Sequence, residues 1–182
     1  MKKENILKWI IADAKLERIM NRNKKDGRDL IYLFLDFDGV INVFREPGTP
    51  EYEEAISKKT FEFWDEKCVQ RLNALARDYH IEIVISSSWR YAGLDYCIDY
   101  LHKAGMNDTV KVIDTTEITY EKTRQTEILE YLLDHPFFAG FIVLDDGDMP
   151  EFKEKMILTH PMKGWDDEID LQVRKICTGL LK

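Results

Sequence analysis

Residues 30–42 read LIYLFLDFDGVIN, and no other stretch limits the fold as strongly. An unbroken apolar run, rich in aromatic and β-branched residues, predicts a strand buried on both faces, as in a parallel sheet covered by helices. The run stops abruptly at Asp36, Phe37, Asp38 and Gly39. Carboxylates at the end of a buried strand are costly unless something compensates their charge, and in open α/β sheets the carboxyl ends of strands are where ligands bind. If the chain stays extended through Phe37, Asp36 and Asp38 share a side. Paired acids followed by a glycine turn then point to a hard cation and a reacting group, although Asp and Gly are also common in plain solvated turns.

Other strands decide between these readings. Residues 141–144 form a second buried run that also ends in acids, Asp145, Asp146, Gly147 and Asp148. Two strands of one sheet that each deliver carboxylates at the same end are hard to attribute to chance. Residues 81–85 predict another strand, running into Ser86, Ser87, Ser88, Trp89 and Arg90. Hydroxyls followed by a guanidinium suit a phosphate or sulfate, and one serine also suits a helix N-cap. Short strands are expected at 110–113 and 156–158. A helix is expected over about 120–134, with Lys122 and Arg124 near its start. Such cations are more often solvated than functional.

The remaining chain sets limits. Ile6, Leu7, Ile10, Ile11, Ala14, Ile19 and Met20 predict an amphipathic helix over residues 1 to about 22, followed by a polar linker; residues 1–29 are thus an addition to a domain spanning 30–182. That helix is expected to pack on its own domain, with a homodimer contact or a partner-binding helix as the other options. After Gly39, the turn at Pro47, Gly48, Thr49 and Pro50, flanked by Ile41, Val43, Phe44 and Tyr52, permits a short hairpin but no inserted domain. A net charge of −8 argues against coating nucleic acid, which requires neutralised phosphates, yet leaves room for a local basic site. Cys68, Cys97 and Cys177 are widely spaced and suit core packing, so a reducing, cytoplasmic setting is expected. His80, His102, His135 and His160 lack ligand spacing. No run approaches the roughly 20 apolar residues of a membrane helix.

The order LFLDFDGVIN, IVISSSWR, EKTRQTEIL, IVLDDGD resembles the haloacid dehalogenase-like (HAD) superfamily of aspartate-dependent phosphohydrolases, over about residues 30–165. The resemblance implies a three-layer, Rossmann-like α/β fold with a five-stranded, mainly parallel sheet of order 3-2-1-4-5. It implies Asp36 as the nucleophile that forms an aspartyl-phosphate and Asp38 as the proton carrier. It further implies Mg2+ held by Asp36, the backbone carbonyl of Asp38 and Asp145, with Asp146 or Asp148 orienting its waters. The hydroxyl role falls on Ser86 or Ser87, with Ser87 favoured by analogy; the cationic role falls on Arg124 or Lys122. Members with a cap domain close over small substrates, but the short connections here leave no space for a large cap. The chain therefore looks like a capless phosphatase, similar to the phosphatase domains of nucleic-acid repair proteins. The expected substrate is a phosphomonoester, with a nucleotide or a nucleic-acid end as candidates and Trp89, Phe44 and Arg90 available to stack on a base. Phosphotransfer to another acceptor, or a non-catalytic binding protein on the same fold, are the alternatives.

Overall fold

The structure, a computed structural model, describes residues 3–57, 63–119 and 121–182, and the side chains of residues 3–8, 51, 55 and 56 are also outside the description. Its elements run α1 (Lys3–Lys25), β1 (Ile31–Leu35), α2 (Pro50–Ser57), α3 (Glu66–Asp78), β2 (Ile81–Ile85), a 3-10 turn (Ser88–Ala92) and α4 (Leu94–Lys103). Then follow β3 (Lys111–Thr115), α5 (Arg124–Asp134), β4 (Gly140–Asp145), a second 3-10 segment (Pro150–Lys155), β5 (Met156–Leu158) and α6 (Asp167–Leu180). The five strands form one sheet of order β3-β2-β1-β4-β5, and every pairing is parallel. The apolar run ahead of Asp36 is its central strand, β1.

Strand side chains alternate between faces, and β1 divides its residues accordingly. Ile31, Leu33 and Leu35 enter a core shared with Cys68, Leu72 and Leu75 of α3, Leu101 of α4 and Val173 of α6. Tyr32 and Phe34 enter a second core with Ile128 and Leu132 of α5 and Leu16 and Met20 of α1. Both faces are therefore covered, which explains why the strand has no polar positions. Cys68, Cys97 and Cys177 are free and buried, as packing residues should be.

The first helix is part of this packing. Its buried stripe runs through Ala12, Leu16, Met20 and Asn23, spaced as one helical face. Asn23 Nδ2 ties it down by donating to the carbonyls of Pro136 and Phe138, both at 2.8 Å. Lys153 and Lys155 pair with Asp13 and Glu17. Ile10 and Ile11, expected on the apolar face, fall roughly opposite this stripe and are 60% and 61% exposed; Ile6 and Leu7 lie outside the described side chains.

Two expectations about connections need correction. The turn at Gly48 does not close a hairpin: it opens α2, with Pro50 as the first helical residue and Thr49 Oγ1 accepting the Tyr52 N–H at 3.3 Å. Proline at the first helical position and threonine before it are helix-start signals. The strand-like pairing instead joins Asn42 to Trp64 as an isolated antiparallel bridge. The helix expected from residue 120 begins at Arg124, because Thr123 caps it by accepting the Thr126 N–H; Tyr120 lies outside the described residues. No helix among the described residues is long and apolar enough to cross a membrane. The described connections contain α2, α4 and the 3-10 turns and no cap domain.

Candidate active site

The sheet register sets the site. Leu35 is paired with Ile85 on one side and Leu144 on the other, so the next residues along, Ser86, Asp36 and Asp145, end three adjacent strands side by side. The Asp36 N–H donates to the Leu144 carbonyl, and the Ser86 N–H to that of Leu35, continuing the ladder one step past the strands. Phe37 turns into the first core and stacks on Tyr100 at 5.5 Å. Asp36 and Asp38 line one cleft of about 460 Å³ together with Ser88, Arg124, Gln125, Asp145, Asp146, Gly147, Asp148 and Met149.

Gly39 makes this turn possible. Its φ of +74° is disfavoured for residues with a Cβ, and a Cβ there would lie 2.5 Å from Asp146 Oδ2. The glycine thus lets the chain after β1 and the chain after β4 approach each other, which brings the two acid groups together. Asp36, Asp145 and Asp146 each offer a carboxylate oxygen, all within 4.8 Å of one another. Three hard oxygen donors in that space suit a divalent cation such as magnesium.

Arg124, the first residue of α5, reaches into this group. Its Nη1 donates to Asp36 Oδ2 at 2.6 Å and Asp145 Oδ2 at 2.5 Å. Burial and the neighbouring Asp36 charge raise the Asp145 pKa to about 6 despite Arg124, and the same two causes raise that of Asp146. Burial disfavours the Arg124 charge, but Asp36 and Asp145 outweigh it and hold the guanidinium firmly protonated. Even so, five carboxylates line the cleft against one guanidinium. The site has room, in charge, for a further cation.

Asp38 is held separately. Trp89 Nε1 donates to its Oδ2 and Asn42 Nδ2 to its Oδ1, both at 2.9 Å, while the Tyr100 hydroxyl donates to Asn42 Oδ1 at 2.5 Å. Trp89 packs against Tyr100 at 4.6 Å and Phe37 at 5.9 Å. Trp89 is thus partly buried among aromatic rings, and its N–H orients Asp38. The expectation that Arg90 stacks on a base is corrected. It is buried, with Nη2 on Glu127 Oε2 at 2.5 Å and Nη1 on the Ser87 carbonyl at 2.9 Å, so it offers neither a stacking surface nor a phosphate contact. Phe44 remains half-exposed.

The serines have separate environments. Ser87 caps the 3-10 turn by accepting the Trp89 N–H at 3.3 Å. Ser86, opposite Asp36, is buried with no partner for its hydroxyl. Ser88 is exposed and lines the cleft. Lys122 is paired with Glu130 at 2.7 Å on the surface and is not among the residues lining the cleft, whereas Arg124 is. Ser88 was expected only as one of the three hydroxyls after β2, and sequence reasoning did not single out Asn42, Gln125, Glu127 or Met149. Only Gln125 had a readable signal, its place beside Arg124 at a helix start.

No curated protein and no solved structure matches the chain. A family model does, that of the HAD domain in Swiss Army Knife RNA repair proteins, over residues 32–168. The match begins in β1, ends in α6 and includes every acid of the cleft. A parallel sheet of order 3-2-1-4-5, acids ending its first and fourth strands, and a family model covering more than half of the sequence agree, and the chain belongs to the family of HAD domains found in Swiss Army Knife RNA repair proteins.

Proposed function

We propose that this protein is a magnesium-dependent phosphatase that hydrolyses a phosphomonoester through an aspartyl-phosphate on Asp36. The observation that carries the reading is the placement of Arg124 Nη1 on both Asp36 and Asp145, in a cleft otherwise lined by carboxylates. Asp36 attacks phosphorus, and the bond from phosphorus to the leaving oxygen breaks. The leaving oxygen takes a proton from Asp38; water then attacks the phosphoaspartate, gives its proton back to Asp38, and orthophosphate departs with Asp36 restored. Trp89 and Asn42 keep Asp38 aimed at the cleft for both transfers.

Phosphoryl transfer spreads charge over three oxygens, and fixed donors directed at them stabilise it. Arg124 is the charged donor in this scheme, and Lys122 is set aside because Glu130 holds it. For the hydroxyl donor, burial and the absence of a protein partner favour Ser86 over Ser87, since an unsatisfied buried hydroxyl is costly without a ligand. Asp36, Asp145 and Asp146 would hold magnesium, together with the backbone carbonyl of Asp38 by family resemblance. Asp148 lines the same cleft and could orient its waters. Bound there, magnesium would offset the carboxylate charge and polarise the phosphoryl oxygens, so that an anionic substrate could approach.

The family's description names RNA repair, which favours a terminal phosphate on RNA as substrate. The uncapped cleft suits a bulky leaving group. Free phosphate should be measured with magnesium on a panel of phosphorylated oligoribonucleotide ends, nucleotides, sugar phosphates and phosphopeptides. Release from RNA ends above the other classes is expected; no release from any class would overturn the reading.

A further inference from the structure

Behind the cleft lies a second ionic contact that the scheme above does not use. Arg90 and Glu127 are paired with side-chain exposures of 6% and 5%, while Arg124 beside them is 29% exposed. A buried ion pair seldom adds net stability over apolar residues of the same shape, because desolvation cancels most of the attraction. Its best-supported use is to fix one geometry among several. The contacts of this pair show which geometry is fixed.

Glu127 lies three residues after Arg124 on α5, so both project from one side of the helix. Its Oε2 accepts from Arg90, and its Oε1 accepts the backbone N–H of Thr119 at 3.1 Å. Arg90 in turn donates to the carbonyl of Ser87. One carboxylate thus links three segments: the serine turn after β2, the chain leading out of β3, and the first turn of α5. The first turn of a helix has no intrahelical partners for its N–H groups and is its least restrained part. Arg124 occupies that turn; the Thr123 carbonyl accepts the Thr126 and Glu127 N–H groups at 2.9 and 3.1 Å, while the Thr123 hydroxyl, the side-chain cap, is 3.4 Å from the Thr126 N–H and 3.1 Å from the Thr126 hydroxyl. Arg90 is also close enough to Arg124 and Asp36 to sense their charges.

We infer that Arg90 and Glu127 are positioning residues that act through Arg124, holding the first turn of α5 and the serine turn in the spacing that phosphoryl transfer needs. The inference rests on the phosphatase reading of Arg124. A small misplacement of a catalytic group lowers turnover more than it lowers substrate binding.

The test is a double-mutant cycle on the full chain with magnesium, using 4-nitrophenyl phosphate and comparing the wild type, Glu127→Gln, Arg124→Ala and the double variant below their melting temperatures. Glu127→Gln is expected to lower kcat by about ten- to a hundredfold with a smaller change in KM, and to have no further effect once Arg124 is alanine. An equal loss in both backgrounds, or no loss at all, would overturn the inference. If Glu127→Gln does not fold, Arg90→Met with Glu127→Leu replaces it; wild-type turnover in that pair would also overturn the inference. If the wild type releases no phosphate from this or the panel substrates, the phosphatase reading fails by itself. The same cycle read on magnesium-dependent orthophosphate binding then decides the positioning role: weakening by Glu127→Gln only where Arg124 is present sustains it, and weakening in both backgrounds, or none, overturns it.

Discussion

The two ionic clusters at the start of α5 are built from similar parts and behave as opposites. Around Arg124, one guanidinium is shared by Asp36 and Asp145 at the floor of an open cleft, with Asp38, Asp146 and Asp148 nearby. Around Arg90, one guanidinium meets one carboxylate, and the pair is sealed from solvent. The first is short of positive charge and accessible, the arrangement expected of a site that admits a cation and a phosphate. The second is balanced and closed, as expected of a tie between segments. A buried charge therefore signals chemistry here only when its neutralisation is incomplete and its setting is open.

The contrast can be broken most severely at Arg124. Replacing it by alanine should lower kcat by roughly a hundred- to a thousandfold, the usual cost of one transition-state donor. The same change should raise magnesium affinity, since a competing cation leaves the carboxylates; calorimetric titration would show this, and unchanged affinity would speak against the charge argument. Removing one member of the sealed pair should instead act on folding: Glu127→Leu alone should cost about 3–5 kcal/mol by strandng Arg90, while Arg90→Met with Glu127→Leu should restore most of that stability in urea unfolding. If the single and double variants unfold alike, the pair is not the closed unit described.

Proton competition sharpens the same comparison, because the open cluster contains a carboxyl that titrates near neutrality. Asp145 has its folded pKa raised from 3.8 to about 6, so between those values the fold favours its protonated form. That contribution to metal-free stability is fully present below pH 3.8 and is lost as pH rises through 6. A metal binds the deprotonated form, so magnesium affinity should fall as pH drops through 6, by up to about tenfold per unit for one competing proton. A flat affinity between pH 5 and 7 would contradict it. At the bottom of the scale, Lys122→Ala should leave both turnover and melting temperature unchanged, since its pairing with Glu130 is on the surface.

What the sequence disclosed follows from the range of the interactions involved. The buried run ending at Asp36 and the run ending at Asp145 were legible because complete burial removes polar residues from a strand, and the spacing of apolar residues in α3 to α6 showed the covering layers. The start of α2 was also written, in Thr49 and Pro50, but the Gly48 turn admitted a hairpin equally well. The fates of Ser86, Trp89 and Arg90 were not legible. They depend on register and partners across the sheet: Ser86 is set beside Asp36 by the pairing of Ile85 with Leu35, and Arg90 is withdrawn from the surface by Glu127, 37 residues away. The buried stripe of α1 was displaced from the expected one because Ile10 and Ile11 satisfy hydrophobic spacing locally while Leu16 and Met20 meet the sheet.

The most direct measurement is magnesium-dependent phosphate release by Asp36→Asn beside the wild type. The substitution keeps the size of the side chain and removes the nucleophilic carboxylate. The account predicts a folded protein with activity lowered by at least about a thousandfold and no acid-stable trace of phosphate on residue 36 after quenching. Retention of wild-type turnover by Asp36→Asn would contradict it.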